Sequence, residues 1–217
     1  RFGYPGHVHT TPHIQEPRTR RLILLSMIAV TVCSCRNDKI EDEAVTIDCA
    51  RTNLIGVPED GQLYHSVYPG GLSGEEDDLT PEGLNDYETA VGRSVAWVYF
   101  SHNWYKNRAF PSNTVSWIYE RGSIPFIRLM LRSTNEERDE ADPTYALDAI
   151  LNGDFDQDLV AWGQAAAEYD APLIVEYGTE MNGEWFPWNG RWNGGEDDGT
   201  ERFRATYRHI VRTICNA

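Results

Sequence analysis

The sequence predicts an α/β fold, a (β/α)8 TIM barrel truncated to about its first four β/α units. Three observations predict it. Four runs with the apolar, β-branched and aromatic character of buried strands begin near residues 63, 94, 124 and 172, and each is followed by a stretch with helical apolar spacing. The loops after those strands carry no glycine fingerprint of the kind that a doubly wound sheet uses to hold phosphate. The 217 residues also fall short of the roughly 250 of a complete barrel.

Gln62-Leu63-Tyr64-His65-Ser66-Val67-Tyr68-Pro69 reads as a short strand that ends in Pro-Gly-Gly. Thr80-Pro81-Glu82 then starts a helix, with an N-cap hydroxyl and a proline in the first turn. Leu84, Tyr87 and Val91 give that helix its apolar stripe. The second strand, Ser94-Val95-Ala96-Trp97-Val98-Tyr99-Phe100, runs into the loop Ser101-His102-Asn103-Trp104-Tyr105. Ser112 is expected to cap the next helix, which bears Val115, Ile118 and Tyr119 and closes at Gly122. The third strand is Ile124-Pro125-Phe126-Ile127-Arg128-Leu129-Met130.

A charged loop, a short helix through Tyr145 and Ile150, and a turn at Asn152-Gly153-Asp154 come next. Asp156 is expected to cap a helix over 158–169, whose Leu159, Trp162, Ala166 and Tyr169 share a face. Pro172-Leu173-Ile174-Val175-Glu176-Tyr177-Gly178 is the fourth strand. After a glycine-rich loop from Trp192 to Gly199, Thr200 is expected to open a final helix with Phe203, Tyr207, Ile210, Val211 and Ile214 on its apolar side.

The chain before this body divides in three. Residues 1–17 hold His7, His9 and His13 among Pro and Gly without apolar periodicity, and read as a disordered leader or as sequence upstream of the true start. With no carboxylate or cysteine in their spacing they predict no metal site. Residues 18–35 combine the basic Arg18-Thr19-Arg20-Arg21 with an apolar run over 22–32, the pattern of a secretory signal too short for a membrane span. The run ends in Val32-Cys33-Ser34-Cys35, which resembles a bacterial lipobox and makes Cys35 the expected lipid anchor to the membrane. An ordinary signal peptide with incidental cysteines is the alternative. Residues 36–60 read as a solvated tether, and 61–217 as the partial barrel domain. Cys49 and Cys215 lie too far apart in sequence to predict a bridge and read as free thiols or packing residues.

A formal charge of -15 argues against a nucleic-acid partner, because phosphate binding needs a basic footprint. It fits a neutral polymer or plain solubility, and no cofactor is implied.

The chemistry concentrates in Glu180-Met181-Asn182-Gly183-Glu184-Trp185-Phe186-Pro187-Trp188. Glu180 falls where the fourth strand opens into a loop, the edge that carries the active site in parallel barrels. Glycoside hydrolysis needs a carboxylic acid to protonate the leaving oxygen and a second carboxylate at the anomeric carbon. A low-dielectric wall of Trp185, Phe186 and Trp188 would favour the uncharged acid and offer flat faces to sugar C–H groups.

The segment resembles glycoside hydrolase family 26, whose members are (β/α)8 barrels that mainly cleave β-1,4-mannans with retention. The resemblance runs from about Tyr64 to Ile214. Its most specific piece is Glu-Met-Asn-Gly-x-Trp-Phe-Pro-Trp at 180–188, and its supporting pieces are Asn152-Gly153-Asp154-Phe155-Asp156 with Trp162, and Phe203 with Tyr207-Arg208-His209-Ile210. It implies Glu180 as the acid/base and Trp185 as a product-side sugar platform. Trp188 and Asn182 join them as expected substrate-binding residues. His102 and Trp104 fall by position at the central sugar subsite, with a structural role equally open for His102. Two positions depart from the family pattern: Thr179 stands where members often carry His, and Glu176 where they often carry Arg. If Arg128 and Glu176 both face the barrel interior, they form a structural ion pair.

The family's nucleophile is a glutamate at the end of the seventh strand, and no residue of this chain takes that role. The expectation is therefore a polysaccharide-cleaving site represented by its acid/base half, exported and lipid-anchored. A β-glucanase or β-xylanase, a glycan-binding surface protein and an inactive gene fragment are the competing readings.

Overall fold

The computed structural model describes residues 55–71, 73, 76–137 and 140–217. The leader, the signal segment with Cys35, most of the tether, and Cys33 and Cys49 lie outside the described residues.

Four strands alternate with helices: β1 (Ser66–Val67), α1 (Pro81–Val91), β2 (Trp97–Asn103), α2 (Ser112–Glu120), β3 (Ile124–Met130), α3 (Leu147–Leu151), α4 (Asp156–Ala167), β4 (Ile174–Tyr177) and α5 (Gly195–Cys215), with a 3-10 turn at Gly190–Trp192. All neighbouring strands pair in parallel, and their order is β1-β2-β3-β4. Crossovers of one hand in an order that never reverses place every helix on the same face of the sheet. That is the arrangement of consecutive (β/α)8 units, and it excludes the switch point of a doubly wound sheet.

Strand alternation sorts the side chains. Val98, Phe100, Ile127, Leu129 and Tyr177 turn toward the helices and form one core with Leu84, Val115, Ile118, Leu159, Trp162 and Ile210. Tyr99, Ser101, Arg128 and Glu176 occupy the other face of the sheet, where Ser101, Arg128 and Glu176 share one register row.

Some element boundaries differ from expectation. The first strand shrinks to Ser66–Val67. Beyond it, β2 is bordered by the loop, where the Ser101 N–H donates to the Glu76 carbonyl at 2.8 Å. Thr80 caps α1 as expected, its Oγ1 accepting from the Gly83 N–H at 3.1 Å, but Val91 is exposed. Ser112 is the first residue of α2 and makes no side-chain cap bond. Asp156 likewise lies inside α4, where it pairs with His209 at 2.6 Å instead of capping. The final helix begins at Gly195, five residues ahead of Thr200. Glu196, Asp197 and Asp198 fall in its first turn, where negative charge complements the exposed N–H groups and offsets the poor helix propensity of glycine.

Cys215 is disulfide-bonded, against the expectation of a free thiol or packing residue. Among the described residues no helix is long and apolar enough to cross a membrane, and no group of three or more His, Cys, Asp or Glu could hold a metal ion.

Candidate active site

The chain leaves β4 through two residues with left-handed backbone. Gly178 has φ +75, and a Cβ there would lie 2.5 Å from the Phe203 ring. Glu180 has φ +47, an uncommon conformation for a side chain of its size. Between them Thr179 is buried, and its carbonyl accepts the Trp188 indole N–H at 2.8 Å. The Gly183 N–H then closes a turn onto the Glu180 carbonyl at 2.6 Å. This turn carries the exposed Glu180 and Asn182 side chains at the C-terminal edge of the sheet.

Trp185 completes the arrangement. Its Nε1 donates to Glu180 Oε2 at 3.0 Å, and 44% of the residue remains exposed. Gly183 permits this, because a Cβ at that position would come within 2.5 Å of the indole Cε2.

The expected aromatic wall is thereby reduced to one ring. Phe186 and Trp188 are buried and stack on each other, their centroids 4.4 Å apart and their planes 16° apart. Trp188 therefore offers no free face to a sugar. It fastens the loop from within, together with Asn193, whose Nδ2 donates to the carbonyls of Pro187 at 2.7 Å and Asn189 at 2.8 Å. Glu184, whose backbone carbonyl takes the Trp192 indole N–H at 2.7 Å, directs its carboxylate to Arg191.

His102 and Trp104 point into the core. Only 7% of His102 is exposed, and its Nδ1 accepts the Trp162 indole N–H at 3.2 Å. Burial pulls its pKa down to about 4, so the ring is neutral near pH 7. Trp104 packs edge-on against Tyr145 and Phe155, each ring 6.2 Å away. Both are thus accounted for as packing residues, and of the expected site residues the structure brings together Glu180, Asn182 and Trp185.

The Arg128–Glu176 pair forms, and sequence reasoning missed its third member. Arg128 Nε lies 3.5 Å from Glu176, an ion pair at a distance where a hydrogen bond is not made. Its Nη1 lies 3.0 Å from Glu76, whose Oε2 also accepts from the Ser101 hydroxyl at 2.9 Å. Glu76 reaches in from the loop after β1 with φ +58, and that positive φ has no local sequence signal. Asp77 beside it binds Lys106 at 2.7 Å and Asn103 at 2.9 Å, so this acidic loop is fastened to the end of β2.

The fold and site define a parallel α/β sheet in barrel order with an exposed, indole-held carboxylate where its fourth strand ends. No family model and no curated protein sequence matches the chain. Among solved structures it is similar to the mannanase BCman of Bacillus subtilis, at 18% identity and a TM-score of 0.47, over 62% of this chain and 46% of that one. A GH26-CBM35 β-(1,4)-mannanase of Podospora anserina is similar at 12% identity and a TM-score of 0.43, over 60% of this chain and 35% of that one. The chain thus spans less than half the length of either protein.

Proposed function

We propose that the chain supplies the acid/base half of a retaining glycoside-hydrolase site acting on β-1,4-mannosidic bonds. The observation that carries this reading is the Glu180 carboxylate, exposed at the C-terminal edge of β4 and held by the indole N–H of Trp185. In the proposed reaction Glu180 gives its proton to the leaving glycosidic oxygen, then takes one from the water that attacks the glycosyl intermediate. Trp185 orients the carboxyl oxygen and presents its free face to the sugar on the leaving side. The attacking carboxylate, about 5–5.5 Å across the sugar in retaining enzymes, is assigned to no residue of this chain. Glu184 is committed to Arg191, and Glu196 belongs to the first turn of α5.

Mannan as substrate rests on the sequence motif at 180–188, and mixed-linkage β-glucan and β-xylan are the alternatives, since nothing in these residues separates the three. The basic and apolar segments at 18–32 support export, with Cys35 as the lipid anchor. A glycan-binding role without catalysis is the second reading, favoured by the exposed Trp185 ring.

Polysaccharide binding and reducing-sugar release test the assignment. The 217-residue chain alone is expected to release no reducing sugar from mannan. In a polypeptide that carries both carboxylates, Glu180→Gln is expected to lower turnover by roughly 10²- to 10⁴-fold with binding retained. Unchanged turnover would remove the acid/base role, and binding without turnover in every context would favour the second reading.

A further inference from the structure

Among the described residues both outer edges of the sheet are open. The order β1-β2-β3-β4 leaves one side of β1 and one side of β4 without a strand partner, a state that invites pairing with another chain. Beside β4 lies an apolar groove of about 300 Å³, walled by Leu173, Val175 and Tyr177 on the strand and by Tyr207, Val211 and Ile214 of α5. Val175 and Tyr207 are exposed at this edge. At the other, Leu63 and Tyr64 are exposed on the approach to β1, and Val91 on the helix behind it.

We propose that the two edges are complementary, and that a second copy of the chain fills the groove by laying its β1 alongside β4. The inference rests on the fold and its surface, independently of the glycosidase reading.

Three observations select a second copy. The first is geometric: four parallel strands are half of the eight that close a barrel around an interior filled by side chains. A two-fold axis along the barrel axis keeps strand direction. Each β1 then meets the other copy's β4 in the parallel sense of the existing sheet, and all four free edges close at once.

The second observation is the side on which Leu63 lies. The ladder of β1 extends back to His65, whose carbonyl accepts the Ala96 N–H at 2.8 Å. The His65 ring packs on the helix side, 6.2 Å from Tyr87 of α1, whereas Tyr64 packs 5.9 Å from Trp97 on the other face. Alternation therefore puts Leu63 on the helix side with His65. The groove opens on that same side, and Leu63 is 83% exposed in the single copy.

The third is charge. Helix α1 carries Glu82, Asp86 and Glu88 and no Lys or Arg. From residue 202 onward, α5 carries Arg202, Arg204, Arg208 and Arg212 and no Asp or Glu. In the closed order of eight strands, α5 of one copy and α1 of the other are neighbours across the new contact, so opposite charges meet at its rim.

Size-exclusion chromatography with light scattering on the purified full chain tests this. The expected wild-type species has twice the mass of the chain. Leu63→Glu and Val175→Lys are each expected to lose that species to monomer while keeping the helical circular-dichroism signal. Should Val175→Lys lose the signal, Tyr207→Lys on the α5 wall takes its place. An equimolar mixture of the two variants is expected to recover the dimer, because the mixed pair has one contact free of substitution and one that sets Glu against Lys. A wild-type monomer overturns the proposal and leaves the groove to a strand of another polypeptide, and a larger assembly overturns the two-copy closure. Loss on Val175→Lys alone, without rescue, overturns it in favour of β4-to-β4 pairing. Association that survives both substitutions, as the apolar run at 22–32 would produce, overturns it as well. A dimer inactive on mannan bears on the catalytic reading alone.

Discussion

The indole N–H of Trp185 meets the carboxylate of Glu180 at 3.0 Å, and the ring can lie there only because residue 183 has no side chain. One contact therefore joins the candidate proton donor to the one exposed ring of the motif. In a completed site, Trp185→Phe keeps an apolar face and removes the donor. A hydrogen bond to a charged group contributes about 1.5–3 kcal/mol, so turnover is expected to fall roughly 10- to 100-fold with little change in KM. Gly183→Ala should have the same effect by displacing the ring. A crystal structure of that variant with the indole still on Glu180 would show that the close contact does not set its position.

The network around Arg128 predicts an asymmetry. Removing the guanidinium leaves Glu76 and Glu176 facing each other without a counter-charge, whereas removing Glu176 leaves Arg128 still paired with Glu76. Arg128→Met is expected to cost about 1–3 kcal/mol, discounted for the partial exposure of the group. Glu176→Gln is expected to cost less than about 1 kcal/mol. Urea unfolding of the two variants and of their double mutant checks this, and equal losses from both single changes would contradict it.

His102 makes stability depend on pH in a definite window. Its folded-state pKa of about 4 lies below the usual 6.5, so in acid the unfolded chain takes up this proton before the folded chain does. Stability is fully present above pH 6.5 and is lost as the pH falls toward 4, by a total on the order of 3 kcal/mol. Protonation also removes the acceptor that Nδ1 offers to Trp162. The unfolding free energy of wild type minus that of His102→Gln, followed from pH 7.5 to 4, should show this slope. A flat difference would mean that the ring titrates alike in both states.

Gly163 reverses an ordinary helix rule. In the middle of an exposed helix, Gly→Ala stabilises by about 1 kcal/mol. Here a Cβ would stand 2.5 Å from the Ile214 carbonyl oxygen, where α4 crosses α5. Overpacking of this kind costs about 1–3 kcal/mol, so Gly163→Ala is expected to destabilise. A raised thermal midpoint in that variant would show that α5 shifts freely.

What the sequence revealed and what it concealed follow a physical division. Local chemistry was legible: the Thr80 hydroxyl caps α1, strand-like runs became parallel strands in order, and Glu180 stands where a strand end was expected. The Arg128–Glu176 pair followed from two alternation patterns once the strands were taken as neighbours. Tertiary choices were not legible. Trp104, Trp185 and Trp188 are chemically identical, and whether an indole lines a site or a core depends on which loop folds over it. Glu76 joins Arg128 across 52 positions of chain, from a backbone conformation that glutamate rarely takes. The start of α5 was missed because two glycines read as a loop, although three acidic residues behind them favour a helix terminus.

The loop from Thr179 to Asn193 is fastened mostly to itself: Trp188 to Thr179, Asn189 to Met181, Trp192 to Glu184, and Asn193 to Pro187 and Asn189. A further bond, from the Leu147 N–H to Asn193 Oδ1 at 3.0 Å, ties it to α3. Such a segment behaves as a cassette. Much of its shape travels with its own sequence, so grafting it onto another parallel barrel requires that the recipient offer a ring like Phe203 against a glycine at the exit of the strand, a backbone N–H where Leu147 stands, an apolar seat beside a ring like Tyr177 for the buried Phe186 and Trp188, and a glycine like Gly199 where Gly190 meets the helix.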